Sequence, residues 1–289
     1  MLSARECTFL SVAVGAVALA WVAGRRSSKV FAAAASVGST TSAKTAFAAH
    51  RSYPPGLLII TGASKGIGLA TAKLFVEAGW RVLNLSRSPC PLAGVTNRKT
   101  DLADQGWAED FAEWLKNQPE LAVEARICLV HNAAVMVRDT ALDSDAKQMA
   151  TAFAVNVIAP ASLNRVLSPW MGAGSSILYI GSTLSEKGIP GSASYVSSKH
   201  AIAGLMKVTA QDLKGRCVHT ACICPGFTAT EMLVDHLGDN PDAQERILGM
   251  QTMGRLIETS EIAEFIYFCG ENPVVNGAVL HANLGQVER

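Results

Sequence analysis

A glycine-rich turn between an apolar run and a helix-like stretch is the feature that most constrains the fold of this 289-residue chain. Leu57 to Ile60 is wholly apolar, as expected for a strand buried on both faces of a parallel sheet. The turn after it reads Thr61-Gly62-Ala63-Ser64-Lys65-Gly66-Ile67-Gly68. From Ile67 to Ala78 small and apolar residues recur at helical spacing, and Gly79 is placed to end the helix. The sequence therefore predicts a strand–turn–helix unit at the start of an α/β domain.

Strand-like and helix-like stretches alternate from Pro54 to the end of the chain. Further strands are predicted at Arg81–Leu85, Ile127–Val130, Ser176–Ile180, His219–Ile223 and Ala278–His281, with long helices at Met149–Trp170 and Ser194–Leu213. This alternation predicts a parallel sheet with helices on both faces. Because neither a repeat nor a linker divides residues 54–289, we expect one Rossmann-type domain with a doubly wound sheet of about seven strands.

The composition is compatible with one large core and argues against several other kinds of protein. With 49% hydrophobic and 17% charged residues, the chain can bury a core and is too apolar to be disordered. Its net charge of +1 gives no reason to expect nucleic-acid binding. The seven cysteines show no pairing pattern and are expected to be reduced and packed. Because the six histidines lack the spacing of metal ligands, no metal site is expected.

The first 53 residues differ from the rest and are expected to be a targeting segment. They contain six Lys or Arg but a single acidic residue, Glu6. Cys7–Gly24 is uncharged and reaches the lower limit of membrane-spanning length, and a basic, Ala- and Ser-rich stretch follows it. We expect a cleaved plastid address. The alternatives are a mitochondrial presequence and a retained membrane anchor, and only a retained run would contact a membrane.

Three polar residues in the second half of the chain are candidates for a catalytic group. Tyr195 and Lys199 are four residues apart, hence one turn apart on one face of the predicted helix, and Ser182 lies thirteen residues before Tyr195. Together with the glycine turn, and in this order, they resemble the short-chain dehydrogenase/reductase family, from about Leu57 to Gln286. The resemblance implies an oxidoreductase that exchanges hydride between a nicotinamide cofactor and a carbonyl or alcohol.

The resemblance also assigns roles to four residues. Tyr195 would be the proton donor, and Ser182 would hydrogen-bond the substrate oxygen. Lys199 would supply a positive charge that favours tyrosinate and would hold the hydroxyls of the nicotinamide ribose. Asn156, which lies mid-helix among apolar neighbours, would hold a water molecule that links Lys199 to solvent.

Two basic residues and a missing acid predict which nicotinamide cofactor binds. The glycine turn and the helix after it would bind the pyrophosphate through backbone N–H groups and the helix dipole. NAD enzymes carry an acidic residue about twenty residues after the glycines, but this chain reads Leu85-Ser86-Arg87-Ser88 there. Arg87 can donate two hydrogen bonds to a 2′-phosphate, and Lys65 adds a second positive charge. The expected cofactor is NADP(H), and the alternative is that both cations are solvated surface residues.

The family pattern also covers the ends of later strands. Asp101 would contact the adenine amine, with a helix cap as the alternative. His131-Asn132-Ala133-Ala134 stands where the family has Asn-Asn-Ala-Gly, so His131 and Ala134 depart from the pattern, and we expect His131 to be structural. In full, the expected cofactor contacts are Thr61, Gly62, Ser64, Lys65, Gly66, Ile67, Gly68, Arg87, Asp101, Leu102, Asn132, Ala133, Tyr195, Lys199, Pro225, Gly226, Thr228 and Thr230.

The segment from Thr230 to Gly254 is expected to form a mobile lid over the substrate. Its apolar residues, among them Leu233, Ile247 and Leu248, would form either an apolar wall for the ligand or packing against the core. The two long predicted helices have apolar residues on more than one face, and in the family they pair across a two-fold axis. We therefore expect a homotetramer or homodimer.

NADPH-linked enzymes normally reduce, so the expected reaction converts a ketone or aldehyde to an alcohol. An alternative is 3-oxoacyl-carrier-protein reductase, but Met171–Ser176 has no charge where such enzymes tend to be basic. Lys207, Lys214 and Arg216 remain as docking charges for an acidic carrier protein. A non-catalytic NADP-binding sensor or assembly protein is the alternative of another class. The intact set of Ser182, Tyr195 and Lys199 counts against it.

Overall fold

The computed structural model describes residues 53–118, 126–237 and 241–287. The expected targeting segment, except Tyr53, therefore lies outside the described residues. The strands are β1 (Leu57–Thr61), β2 (Arg81–Ser86), β3 (Val95–Lys99), β4 (Ile127–His131), β5 (Ser176–Ile180), β6 (His219–Pro225) and β7 (Ala278–Ala282). They form one parallel sheet in the order β3-β2-β1-β4-β5-β6-β7. The chain reverses its direction of progress between β3 and β4, so the carboxyl ends of β1 and β4 flank a crevice where such sheets bind ligands.

Helices cover both faces of this sheet. They are α1 (Gly66–Glu77), α2 (Trp107–Lys116), α3 (Ala146–Phe153), α4 (Ala159–Leu167), α5 (Ala193–Asp212), α6 (Glu231–Leu237), α7 (Pro241–Gly249) and α8 (Thr259–Glu271). Alternate strand residues face opposite sides: Ile59 packs with Phe111 of α2 and Leu163 of α4, and Ile60 packs with Phe75 of α1 and Ile266 of α8. The expected doubly wound α/β fold is confirmed, and Tyr53–Arg289 form one compact unit.

The predicted strands are all present, and one further strand has no apolar signature. β3 is the edge strand Val95-Thr96-Asn97-Arg98-Lys99, which has no fully buried residue. Because an edge strand packs against the molecule on one side only, the apolar run that reveals a central strand is missing here.

The helix predicted over Met149–Trp170 is broken into segments. It begins earlier, at Ala146, where the side chain of Asp145 accepts a hydrogen bond of 2.8 Å from Gln148 N. A π-helical turn at Ala154–Ile158 then joins α3 to α4. Pro160 offers a physical reason, because it has no N–H to donate to the Asn156 carbonyl as an α-helix would require.

This stretch, Ala146–Trp170, is also long and apolar enough to cross a membrane by length and composition alone. Its residues Leu163 and Leu167 are nevertheless fully buried in the cluster between the sheet and α2, α4 and α5. Since a core helix passes the same length and composition test, the stretch is accounted for as part of the folded domain.

Candidate active site

The glycine turn has a backbone that only glycine tolerates at its key positions. Gly62 and Gly66 have φ angles of +73° and +56°, in the left-handed region. A Cβ atom at Gly68 would lie 2.3 Å from the Gly62 carbonyl oxygen, so a side chain there would force α1 away from β1. The turn and the first amide groups of α1 therefore form a cradle that has no side chain at its three glycine positions, which lets a pyrophosphate approach the backbone.

Hydrogen bonds from the end of β4 hold this turn in shape. Thr61 Oγ1 accepts from the backbone nitrogens of Asn132 and Ala133, at 3.0 and 2.9 Å. Asn132 Nδ2 donates to the carbonyl oxygens of Thr61 and Gly62, at 2.9 and 3.1 Å. Thr61 and the Asn132 side chain thus hold the glycine turn and the end of β4 together.

The two expected phosphate-binding cations lie on the surface beside this crevice. Lys65 directly precedes α1 and Arg87 directly follows β2, and both side chains are exposed. Within the described residues neither side chain has an ion pair or hydrogen bond. Both are therefore available for an anionic group. This exposure fits a phosphate-binding role and a solvated role equally well.

Asp101 and Leu102 follow β3. Asp101 Oδ1 accepts a hydrogen bond of 3.0 Å from Ala103 N, a local turn five residues ahead of α2. The helix-cap alternative for Asp101 is therefore wrong, because the residue that caps α2 is Gly106. Leu102 is buried with Val155 and Ala159.

Tyr195 and Lys199 are buried together near the start of α5. The Lys199 Nζ atom lies 5.4 Å from the centroid of the Tyr195 ring. It donates a hydrogen bond of 2.7 Å to the carbonyl oxygen of Ile180, the last residue of β5. These two contacts hold the ammonium group between the Tyr195 ring and the end of β5.

Ser182 lies two residues beyond that carbonyl, which brings it to the same end of β5 as Lys199. Its Oγ atom accepts a hydrogen bond of 3.1 Å from Leu184 N and so caps a short 3₁₀ turn at Thr183–Ser185. Because Oγ accepts here, its own proton remains free to donate to a substrate oxygen. Among the described residues, no group hydrogen-bonds the Tyr195 hydroxyl.

Asn156 connects the loop after β4 to α5. Its Oδ1 atom accepts from Val135 N at 2.8 Å, and its Nδ2 atom donates to the Val135 carbonyl at 3.0 Å and to Ser198 Oγ at 2.9 Å. Ser198 Oγ donates in turn to the Tyr195 carbonyl at 2.8 Å. Both N–H groups of the carboxamide are used, so the side chain acts as a brace.

The segment after β6 returns to the glycine turn. Thr228 is buried and its hydroxyl donates to the Gly226 carbonyl at 3.1 Å. Thr230 borders the cradle instead, because its Cγ2 atom lies 3.4 Å from where a Cβ atom of Gly66 would be. Of the two threonines, Thr230 is therefore the one that lies beside the glycine turn. Pro225 ends β6 at the same edge of the sheet.

The helices of the expected lid are α6 and α7, and several of their apolar residues line one cavity. Leu233, Ile247 and Leu248 line a cavity of about 870 Å³ together with residues of α1 and α8. Neither Ser182, Tyr195 nor Lys199 lines it. The three lid side chains therefore border a cavity that Gly66 of the glycine turn and Thr230 also line.

His131 belongs to a buried polar network that faces the core. Its Nε2 atom lies 2.9 Å from Asn164 Oδ1, Asn164 Nδ2 donates to the Tyr179 hydroxyl at 2.6 Å, and that hydroxyl lies 2.9 Å from Thr209 Oγ1. Burial lowers the pKa of His131 to about 4. The expectation that His131 is structural agrees with this position, because a neutral, buried imidazole is unavailable to a substrate.

Sequence reasoning missed Asp139, a buried carboxylate that anchors the start of α5. Its carboxylate accepts hydrogen bonds from both Ser194 N, at 3.1 and 3.2 Å, and the Ser194 hydroxyl. The backbone of Asp139 also accepts from Ala193 N at 3.2 Å. This ties the loop after β4 to the residue next to Tyr195. A lone acid following the apolar run Val135-Met136-Val137 was the available signal.

Comparisons with known proteins agree with this geometry. The family model described as enoyl-(acyl carrier protein) reductase matches residues 62–286. The chain is 33% identical to the protein FixR of Bradyrhizobium diazoefficiens, over 80% of this chain and 87% of that protein. It is 30% identical to the short-chain dehydrogenase/reductase olcF of Penicillium canescens, over 78% and 93%. It is 27% identical to the chloroplastic NADPH-dependent aldehyde reductase-like protein of Arabidopsis thaliana, over 79% and 93%.

Solved structures give the same result. A putative NAD(P)-dependent gluconate 5-dehydrogenase from Beutenbergia cavernae, with bound NADP at low occupancy, superposes with a TM-score of 0.71. It is 27% identical, and the match covers 80% of this chain and 96% of that one. The parallel sheet, the glycine cradle and the Ser182, Tyr195 and Lys199 group, taken with these matches, lead to one conclusion: the chain belongs to the short-chain dehydrogenase/reductase family of oxidoreductases.

Proposed function

We propose that this protein is an NADPH-dependent carbonyl reductase that converts a ketone or aldehyde to an alcohol. The observation that carries the proposal is the burial of Lys199 beside the Tyr195 ring at the end of β5, where Ser182 follows. A bound nicotinamide would supply the hydride. The Tyr195 hydroxyl would give its proton to the substrate oxygen, and Ser182 would donate a hydrogen bond that holds this oxygen in place. Lys199 would stabilise the resulting tyrosinate.

The choice of NADPH over NADH rests on charge. The stretch from Leu85 to Ser88 has no acid that would repel a 2′-phosphate, and the exposed Lys65 and Arg87 follow the carboxyl ends of the neighbouring strands β1 and β2. Relatives described as NADPH-dependent aldehyde reductases support this choice. Two of these relatives are chloroplastic, which also supports our proposal that residues 1–53 direct the protein to a plastid.

A carrier-protein substrate is less well supported by the surface. The exposed Lys207 lies twelve residues after Tyr195 on α5, about 18 Å along the helix axis at 1.5 Å per residue. Lys214 and Arg216 lie beyond the end of the same helix. These cations are therefore at the end of α5 remote from Tyr195, and a carrier docked on them would be distant from the reacting group.

The test is NADPH oxidation across a panel of ketones and aldehydes, with Tyr195→Phe as the variant. Removing the proton donor should reduce kcat about 10²- to 10⁴-fold. NADPH binding should change little, because the aromatic ring is retained and only the hydroxyl is lost. Tyr267→Phe is the control for a change of the same kind at a distance from Ser182 and Lys199. Activity of Tyr195→Phe equal to the unmodified protein, or binding of NADPH without turnover of any carbonyl in the panel, would contradict the proposal. The second result would favour the sensor or assembly protein.

A further inference from the structure

Two asparagine side chains connect the glycine turn to the strand edge that leads to Arg87. Asn84, inside β2, accepts a hydrogen bond from Ala63 N in the glycine turn, at 2.9 Å. The Nδ2 atom of Asn84 donates to Asn97 Oδ1 at 2.9 Å, and the two residues are in register across β2 and β3. A direct path of hydrogen bonds therefore runs from the turn to the edge strand.

Asn97 continues this path to the loop that carries Arg87. Cys90 N donates to Asn97 Oδ1 at 2.8 Å, and Asn97 Nδ2 donates to the Cys90 carbonyl at 3.2 Å. At the start of the loop, the Ser86 hydroxyl donates to the Ser88 carbonyl. The loop from Ser86 to Cys90 is thus held at both ends, and the carboxamide of Asn97 holds the far end.

The two asparagines differ in how much the fold depends on them. Asn84 is 1% exposed between the apolar residues Leu83 and Leu85, and its carboxamide oxygen and both N–H groups have partners. A buried amide of this kind is costly unless it is fully hydrogen-bonded. Asn97 lies on the exposed edge strand β3. Changing Asn97 therefore removes no apolar side chain from the core, but it takes one hydrogen-bond partner from Asn84 and one from the Cys90 backbone.

We propose that Asn97 is a positioning residue for nucleotide specificity. Lys65 lies two residues after Ala63, and Arg87 lies in the loop that ends at Cys90, so the path through Asn84 and Asn97 joins the two backbone segments that carry these cations and constrains the spacing of those segments. A 2′-phosphate monoester must be reached by both cations to gain both charge-assisted contacts. NADH has no such phosphate and makes no demand on this spacing. The inference rests on the proposed NADPH preference.

The experiment compares Asn97→Ala with the control Thr96→Ala, a neighbouring exposed residue on the same strand. Dissociation constants for NADPH and NADH are measured by fluorescence titration at one ionic strength, and thermal unfolding confirms that each variant is folded. Asn97→Ala should raise the Kd for NADPH about tenfold, the effect of losing one charge-assisted contact when Arg87 is displaced from the 2′-phosphate, and leave the Kd for NADH within about twofold. Thr96→Ala should change neither. Asn97→Ser, a polar replacement of intermediate size, replaces Asn97→Ala if the latter does not fold, and the same readout applies.

A double-mutant cycle with Arg87→Gln separates positioning from general loosening. If Asn97 acts through Arg87, Asn97→Ala should not weaken NADPH further once Arg87 is neutral. Equal increases in the Kd for NADPH and NADH, or a further loss in the Arg87→Gln background, would show that the inference is wrong. Failure of the proposed function is distinguishable, because the unmodified protein would then bind both nucleotides equally. If it prefers NADPH and Asn97→Ala keeps that preference, this inference alone fails.

Discussion

At the scale of single residues, the polar side chains around the crevice divide into those that are already bonded and those that are free. Thr61, Asn132 and Asn156 have their hydrogen bonds satisfied by the backbone of the domain itself. Lys65 and Arg87 project into solvent. The bonded groups fix the shape of the cradle in advance, and such preorganisation reduces the ordering that a ligand must impose. The free groups are the ones on which selection between ligands can depend.

Replacing Arg87 by aspartate should reverse the nucleotide preference. The change removes a charge-assisted contact to the 2′-phosphate and adds a repulsive charge, together on the order of 2 kcal/mol, or one to two orders of magnitude in the ratio of the dissociation constants. Titration with NADPH and NADH measures the ratio. Lys116→Asp, an exposed change of the same charge on α2, is the control. Equal binding of both nucleotides by the unmodified protein would contradict the prediction.

At the scale of elements, a buried network joins β4, β5, α4 and α5 through His131, Asn164, Tyr179 and Thr209. Burial holds the pKa of His131 at about 4, whereas the unfolded chain titrates near the ordinary value of 6.5. As pH falls below 6.5, His131 becomes protonated in the unfolded state but stays neutral in the folded state. Stability is therefore lost between pH 6.5 and 4 and is constant, with respect to this group, at higher pH.

The expected loss of unfolding free energy from His131 between these two pH values is about 3 kcal/mol. His131→Asn, which introduces the residue that the family has there, should remove this part of the acid dependence. Urea unfolding of both proteins at several pH values measures it. His219, whose pKa is also lowered by burial, contributes in the same direction, so the difference between the two proteins is the quantity to compare. Parallel curves would mean that His131 is not the titrating group.

The elements also differ in how well they could be predicted from their sequences. β1, β4, β5 and β6 are central strands, and their fully buried residues produced the apolar runs that predicted them. The edge strand β3 produced no such run, because half of its surface faces solvent. The glycine turn and the Ser182, Tyr195 and Lys199 set were visible as fixed spacings. The roles of Asp139, Asn84 and Asn97 were not, since each depends on a partner distant in sequence that only the fold brings near.

At the scale of the whole molecule, some apolar side chains on the outer face of the central helices are exposed to solvent. Ile158, in the π-helical turn, is 58% exposed, and Val208 of α5 is 56% exposed. Ile202, on the opposite side of α5, is buried in the core. The expected apolar residues on more than one face of α5 are therefore present, and the outward ones are available for a second copy of the chain.

We expect a homodimer or homotetramer that Val208→Arg weakens, because an arginine at a two-fold axis would face its own copy. Light scattering at several protein concentrations measures the mass. Leu142→Arg, at a loop position that is 99% exposed, is the control and should leave the assembly unchanged. A monomer of the unmodified, processed chain at all concentrations would refute the expectation.

A chain that starts at Arg51 should be soluble and as active as the processed protein. Leu57 opens the first buried strand, and the domain begins at Tyr53. Its thermal stability should match that of the processed protein. Sequencing the mature N-terminus in the native organelle tests the address: a start between about Ala32 and Pro55 fits import and cleavage. An intact Met1 in a membrane pellet would favour the anchor instead.

The π-helical turn between α3 and α4 limits where a single residue can be deleted from this chain. A π-helical turn is equivalent to one extra residue in an α-helix, and one residue corresponds to a rotation of about 100°. Deleting one residue from Ala154–Ile158 would restore a regular helix but would turn α3 by that angle relative to α4. Either Ala152 or Leu163, both fully buried, would then face solvent. Single-residue deletions in this turn should therefore be far less tolerated than deletions in the exposed loop around Leu142.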